Sequence, residues 1–155
     1  MLPFVRLAGE RKSGAICASY FCATPYSGNP VACAAALAVF QVIETEHLLE
    51  RSDHLGARLR AAIGELKTQP QLGIGEIRGL GGMSAFELIV PGSANQADAD
   101  AAKGLTSRAA ELGLILLSCG VYANTIRVLV PLTVEDAVFE EGLALLAQAL
   151  REVRG

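Results

Sequence analysis

The sequence predicts an α+β fold, a mostly antiparallel sheet covered by helices, from three observations. Apolar residues recur at helical spacing in well-separated segments, among them 46–67, 97–112 and 139–153. Two pairs of short apolar runs are each interrupted by a glycine-bearing turn, as neighbouring strands of a sheet require. Taken in order, the elements read helix, helix, strand, strand, helix, strand, strand, helix.

Residues 1–24 show no sustained period and read as irregular. Tyr26, Ser27, Gly28, Asn29 and Pro30 then form a turn into a helix, with Asn29 as N-cap and Pro30 in the first helical position. In the helix VACAAALAVFQVI, 31–43, Gln41 is the only polar side chain, so the spacing predicts a buried helix covered by another domain or subunit. From Glu46 the pattern turns amphipathic, with Leu48, Leu55, Leu59, Ile63 and Leu66 on one stripe, and it ends before Pro70. His47 and His54 lie seven apart on this segment without cysteine or carboxylate convergence, and read as surface residues.

Ile74 to Leu80 and Met83 to Val90 are two strands joined by Gly81-Gly82, a pair suited to the positive φ of a hairpin turn. The glycines at 73, 75, 79, 81 and 82 match neither phosphate-loop pattern, so they are turn chemistry. Ala97 to Leu112 is an alanine-rich helix stopped by Gly113. Residues 114–130 supply two more strands, with Ile126, Val128 and Val130 on one face and Thr125, Arg127 and Leu129 on the other. Thr133 with Asp136 resembles a capping box. The closing helix aligns Phe139, Leu143, Leu146, Leu150 and Val153, with acids near its start and Arg151 and Arg154 near its end.

Arg127 is the residue that demands explanation. A guanidinium in an apolar strand is costly unless water at an edge strand, a structural carboxylate or a bound anion relieves it. A carboxylate ligand suits its planar fork.

Composition limits the remaining functions. With 155 residues, one domain is expected, and 52% hydrophobic residues with 19% charged make it more apolar than most soluble domains. A net charge of −3 with no basic run leaves no footprint for nucleic acid or an anionic membrane. Cys17, Cys22, Cys33 and Cys119 contain no CxxC pair, which disfavours zinc. The lack of a signal-like start predicts a cytoplasmic protein with reduced thiols, and the apolar run 31–43 is too short to span a bilayer.

The series Tyr26-Ser27-Gly28-Asn29-Pro30, Ile77-Arg78-Gly79-Leu80-Gly81-Gly82-Met83, Cys119-Gly120, Asn124-Thr125-Ile126-Arg127 and Pro131-Leu132-Thr133 resembles the C-terminal part of class III aminotransferases, most of all 4-aminobutyrate aminotransferases. The resemblance divides the chain into residues 1–24, which do not match, and 25–155, the C-terminal small domain with its leading helix. It implies the small domain of a fold-type I enzyme dependent on pyridoxal 5'-phosphate, usually oligomeric, that moves an amino group from 4-aminobutyrate to 2-oxoglutarate. The family's Schiff-base lysine lies upstream of the matching segment, so the 155 residues alone are expected to be inactive. The resemblance gives Arg127 the family's role of binding a substrate carboxylate. It gives the cofactor phosphate a threonine where this chain has Pro25, with Thr24 one residue displaced. A truncated, non-catalytic fragment that is inert or joins an intact subunit is the alternative expectation.

Overall fold

The structure, a computed structural model, describes residues 29–155. The expectations for residues 1–24, for Thr24 and for the turn at 26–28 lie outside the described residues. The chain divides into two compact units, Met1–His47 and Leu48–Gly155.

The described part of the first unit is helix α1, Pro30–Thr45. It begins as the sequence predicts: Asn29 Oδ1 accepts from the Val31 backbone N–H at 2.9 Å, and Pro30 occupies the first turn, where no donor is needed. Within the described residues no α1 residue is buried, and Val31, Leu37, Val39, Phe40 and Val42 are exposed, so the cover expected from another domain or subunit would have to come from outside them. The described residues of its own unit form no second element to pack against it.

The second unit opens with α2, Leu48–Lys67, which follows His47 at a left-handed φ of 51°. Helix α2 buries Leu55, Leu59, Ile63 and Leu66, the stripe the spacing predicts. A 3₁₀ turn, Pro70–Leu72, and Gly73 at φ 60° lead into β1, Ile74–Leu80, and β2, Met83–Leu88. These form the expected hairpin, with Leu80 opposite Met83 across Gly81-Gly82 and Gly81 at φ 53°. The pairing register shifts between Ile74 and Ile77.

Helix α3, Ala99–Glu111, precedes β3, Leu117–Cys119, and β4, Thr125–Leu129, and helix α4, Asp136–Arg154, closes the chain. The sheet order is β1-β2-β4-β3 and every pairing is antiparallel. The α+β reading therefore stands. Phe86, Leu88 and Ile126 on one face of the sheet join Leu55, Leu59 and Ile63 of α2, Leu105 of α3 and Leu146 and Leu150 of α4 in one core. Burial of each such side chain contributes roughly 1.5–3 kcal/mol.

Three local contacts fix the layer. Helix α2 meets the hairpin turn at Gly56, where a Cβ would lie 1.7 Å from the Gly81 carbonyl oxygen. Around that contact the Gly82 N–H donates to Ser52 Oγ at 2.8 Å, and Arg60 donates to the Gly81 carbonyl at 3.2 Å. At the opposite end Asp98 caps α3 by accepting from the Ala101 N–H at 2.9 Å, and pairs with Arg154 at 2.7 Å. Arg154, 9% exposed, also donates to the Ile89 carbonyl, so the last turn of α4 is tied to the start of α3.

The capping box at Thr133 is a correction. Helix α4 starts at Asp136 with Glu135 as N-cap and no side-chain cap bond. The Val134 N–H donates to the Pro131 carbonyl at 3.1 Å, so Thr133 sits inside a turn, while Arg51 takes the Asp136 carboxylate at 2.6 Å. The carboxylate that would have closed the box is taken by Arg51.

Candidate functional site

Strand parity places Arg127 on the face of the sheet away from the core. Its neighbours Ile126 and Val128 pack inward against the helices, while Arg127 and Leu129 are exposed. Strand β4 lies between β2 and β3, so Arg127 is not an edge-strand arginine. Among the described residues it has no ion pair and no hydrogen bond. None of its guanidinium donors is taken by another described residue.

The register defines what surrounds it. Arg78, Ala85, Arg127 and Leu117 form one cross-strand row. In the next row Glu87 lies opposite Thr125, and Thr125 opposite Cys119. On the other side Leu80, Met83 and Leu129 form an exposed apolar row. The face thus carries a small gap at Ala85 between two arginines, with carboxylates on one flank only.

Arg78 is occupied. It contacts Glu87 at 2.7 Å and Glu76 at 3.2 Å, and the hydrogen bond it donates to Glu87, strengthened by both charges, holds its guanidinium above its ordinary pKa. Neither Arg78 nor Glu87 stood out in the sequence beyond the motif containing Arg78. The available signal was the two-residue hairpin, since pairing outward from Gly81-Gly82 sets Arg78 opposite Ala85 and Glu87 diagonal to it.

A cavity of about 440 Å³ adjoins β3, β4 and α4, bounded by Leu114, Val130, Val138, Phe139, Leu143 and other apolar residues, with Arg127 the one charged residue in its lining. Its interior suits hydrocarbon, whereas a carboxylate is served by the solvated donors of Arg127 on the open face. The solvated arginine thus belongs to the open face, and the cavity lies beside it.

The remaining sequence candidates supply no centre. Thr24 lies outside the described residues. His47 and His54 are exposed, Cys33 and Cys119 are free thiols, and no cluster of metal-binding side chains occurs among the described residues. The four strands contain no lysine, none lines the cavity, and the Lys67 amine donates to the Gly75 carbonyl at 2.6 Å. The described residues therefore do not fit pyridoxal phosphate, which needs an amine and a phosphate cradle. No single helix among them is long and apolar enough to cross a membrane.

Comparison with known proteins gives a consistent picture. A family model described as aminotransferase class-III matches residues 3–150. The 5-aminovalerate aminotransferase of Pseudomonas aeruginosa is 49% identical over 128 residues, covering 83% of this chain and 30% of that protein. The 4-aminobutyrate aminotransferase of Escherichia coli is 45% identical over 130 residues, again covering 83% and 30%. Among solved structures, a transaminase from the marine bacterium Virgibacillus superposes with a TM-score of 0.74 at 27% identity, covering 86% of this chain and 31% of that one. A phospholyase from Arthrobacter, in complex with phosphoethanolamine, gives 0.75 at 25% identity, covering 81% and 30%. The chain thus spans about 30% of the length of the relatives it matches.

Proposed function

The chain belongs to the class-III aminotransferases, and from that premise we propose that it is the C-terminal portion of a 4-aminobutyrate:2-oxoglutarate transaminase in which Arg127 binds a substrate carboxylate. The observation that carries this reading is an arginine on an interior strand, open to solvent and without a carboxylate partner among the described residues. Such a group costs little to expose and gains two charge-assisted hydrogen bonds when an acid docks against it. Its contribution to the reaction would be orientation: holding the acid end of an ω-amino acid fixes where the amine at the other end lies. Pyridoxal phosphate supplies the electron-sink chemistry, from residues outside those described.

Relatives acting on 4-aminobutyrate and 5-aminovalerate, which differ by one methylene, support an ω-amino acid as donor. An acid anchor of this kind accepts either length, because the apolar spacer makes no polar demand.

The test is direct. Glutarate, a five-carbon diacid, is expected to protect Arg127 in the 155-residue chain from phenylglyoxal, read by peptide mass spectrometry. Equal labelling with and without glutarate refutes the acid-binding role. The chain with added pyridoxal phosphate is expected not to turn over 4-aminobutyrate, and turnover refutes the assignment of the chemistry to other residues.

The bare apolar surface of α1 favours a second reading, a non-catalytic fragment that associates with an intact subunit. Co-purification with a full-length class-III aminotransferase supports it, and a soluble monomer that captures no such subunit argues against it.

A further inference from the structure

We propose that Arg78 is a positioning residue for the acid site: by holding Glu87, it keeps Arg127 open to an external carboxylate. The proposal rests on the reading of Arg127 as an acid binder and adds the reason why that arginine is unoccupied.

Glu87 stands between two claims. Ala85 is directly opposite Arg78 on one side and directly opposite Arg127 on the other. Glu87, two residues beyond Ala85 on the same face, is therefore the same kind of diagonal neighbour to both arginines. Diagonal neighbours of an antiparallel pair lie within reach of long side chains. On the Arg78 side that reach is realised, with an ion pair of 2.7 Å. On the Arg127 side it is not.

What decides between the two is local charge and occupancy. Arg78 also contacts Glu76 on its own strand at 3.2 Å, so two carboxylates converge on one guanidinium and fix its position. Of the two residues flanking the diagonal from Glu87 to Arg127, Ala85 carries only a methyl group and Thr125 is short. Remove Arg78, and the nearest cation to Glu87 across the strand pair is Arg127. Glu87 then turns to it and occupies the donors that an incoming acid needs. The ion pair of Arg78 thus guards the site without touching the ligand.

The experiment measures phenylglyoxal labelling of Arg127 in the 155-residue chain and its variants, resolved by peptide mass spectrometry, with circular dichroism confirming that each variant is folded. Arg78→Met is expected to slow labelling of Arg127 by about fivefold, the population ratio that an exposed ion pair of ordinary strength produces. Arg78→Met with Glu87→Gln is expected to restore the original rate. Unslowed labelling in Arg78→Met overturns the proposal, as does slowing that the Glu87→Gln exchange fails to reverse. Protection of Arg127 by glutarate in the unaltered chain is read separately, so a failure of the acid-binding role is distinguished from a failure of the guard.

Discussion

Helix α2 contains two glycines that the same substitution should move in opposite directions. At Gly56 an alanine Cβ would lie 1.7 Å from the Gly81 carbonyl oxygen, 2.4 Å from the Gly81 carbonyl carbon and 2.9 Å from Arg60 Nη1. An ordinary contact begins at 3.4 Å, so helix and hairpin must separate by about 1.7 Å, and the obstructing atoms are backbone that cannot rotate away. Overpacking of this kind costs about 1–3 kcal/mol, and the upper part of that range applies because the Ser52 and Arg60 hydrogen bonds to the turn stretch as well. Alanine's better helix propensity returns up to about 1 kcal/mol. The net loss is about 1–2 kcal/mol, or a fall in Tm of roughly 5–10 °C for a unit of this size. Gly64, on the same helix, has nothing within 4 Å of its would-be Cβ. Gly64→Ala collects the propensity gain alone, about 0.5–1 kcal/mol and a few degrees in Tm. Urea unfolding followed by circular dichroism measures both. A Gly56→Ala variant as stable as the unaltered chain would falsify the close helix–hairpin contact, and equal shifts at the two positions would show that propensity alone governs the helix.

Three further outcomes follow from the structure. Asp98→Ala removes the α3 cap and leaves Arg154, 9% exposed, without its carboxylate; a loss of about 3 kcal/mol is expected in urea titration, and under 1 kcal/mol would show the pair to be incidental. The Asp98 carboxyl is held below its ordinary pKa first by the Ala101 N–H and then by Arg154. A lowered folded pKa means stability present above the unfolded value and lost as pH falls through the folded one, so the urea midpoint should decline below about pH 4, and Asp98→Asn should flatten that decline. Arg127→Ala, at an exposed position with no partner among the described residues, should change stability by no more than about 0.5 kcal/mol in urea titration; a large stability loss would give Arg127 a structural task instead.

The fold was legible where one residue type answers one backbone demand. Gly81-Gly82 announced the hairpin, Asn29-Pro30 the start of α1, and the alternation in Ile126 to Val130 the two faces of β4. Reading failed where two demands competed for one side chain. Thr133 and Asp136 carry the spacing of a cap, yet Asp136 is claimed by Arg51, which is distant in sequence, and Thr133 by a turn. The break between α1 and α2 was legible as the change to an amphipathic pattern at Glu46, although the left-handed His47 that makes it has no compositional mark. For the site, parity was enough to orient Arg127, whereas its vacancy depends on Glu87 choosing Arg78, a tertiary choice that spacing alone does not encode.

The two rims of the sheet are unequal and both are poor templates. Strand β3 offers three residues, and β1 is interrupted by its register shift and studded with Glu76 and Arg78. Such rims resist strand addition, because a foreign segment finds too few aligned amides or meets charge and a kink. The ladder is therefore closed to lengthening at both rims, which holds the cross-strand row of Arg78, Ala85, Arg127 and Leu117 in one register.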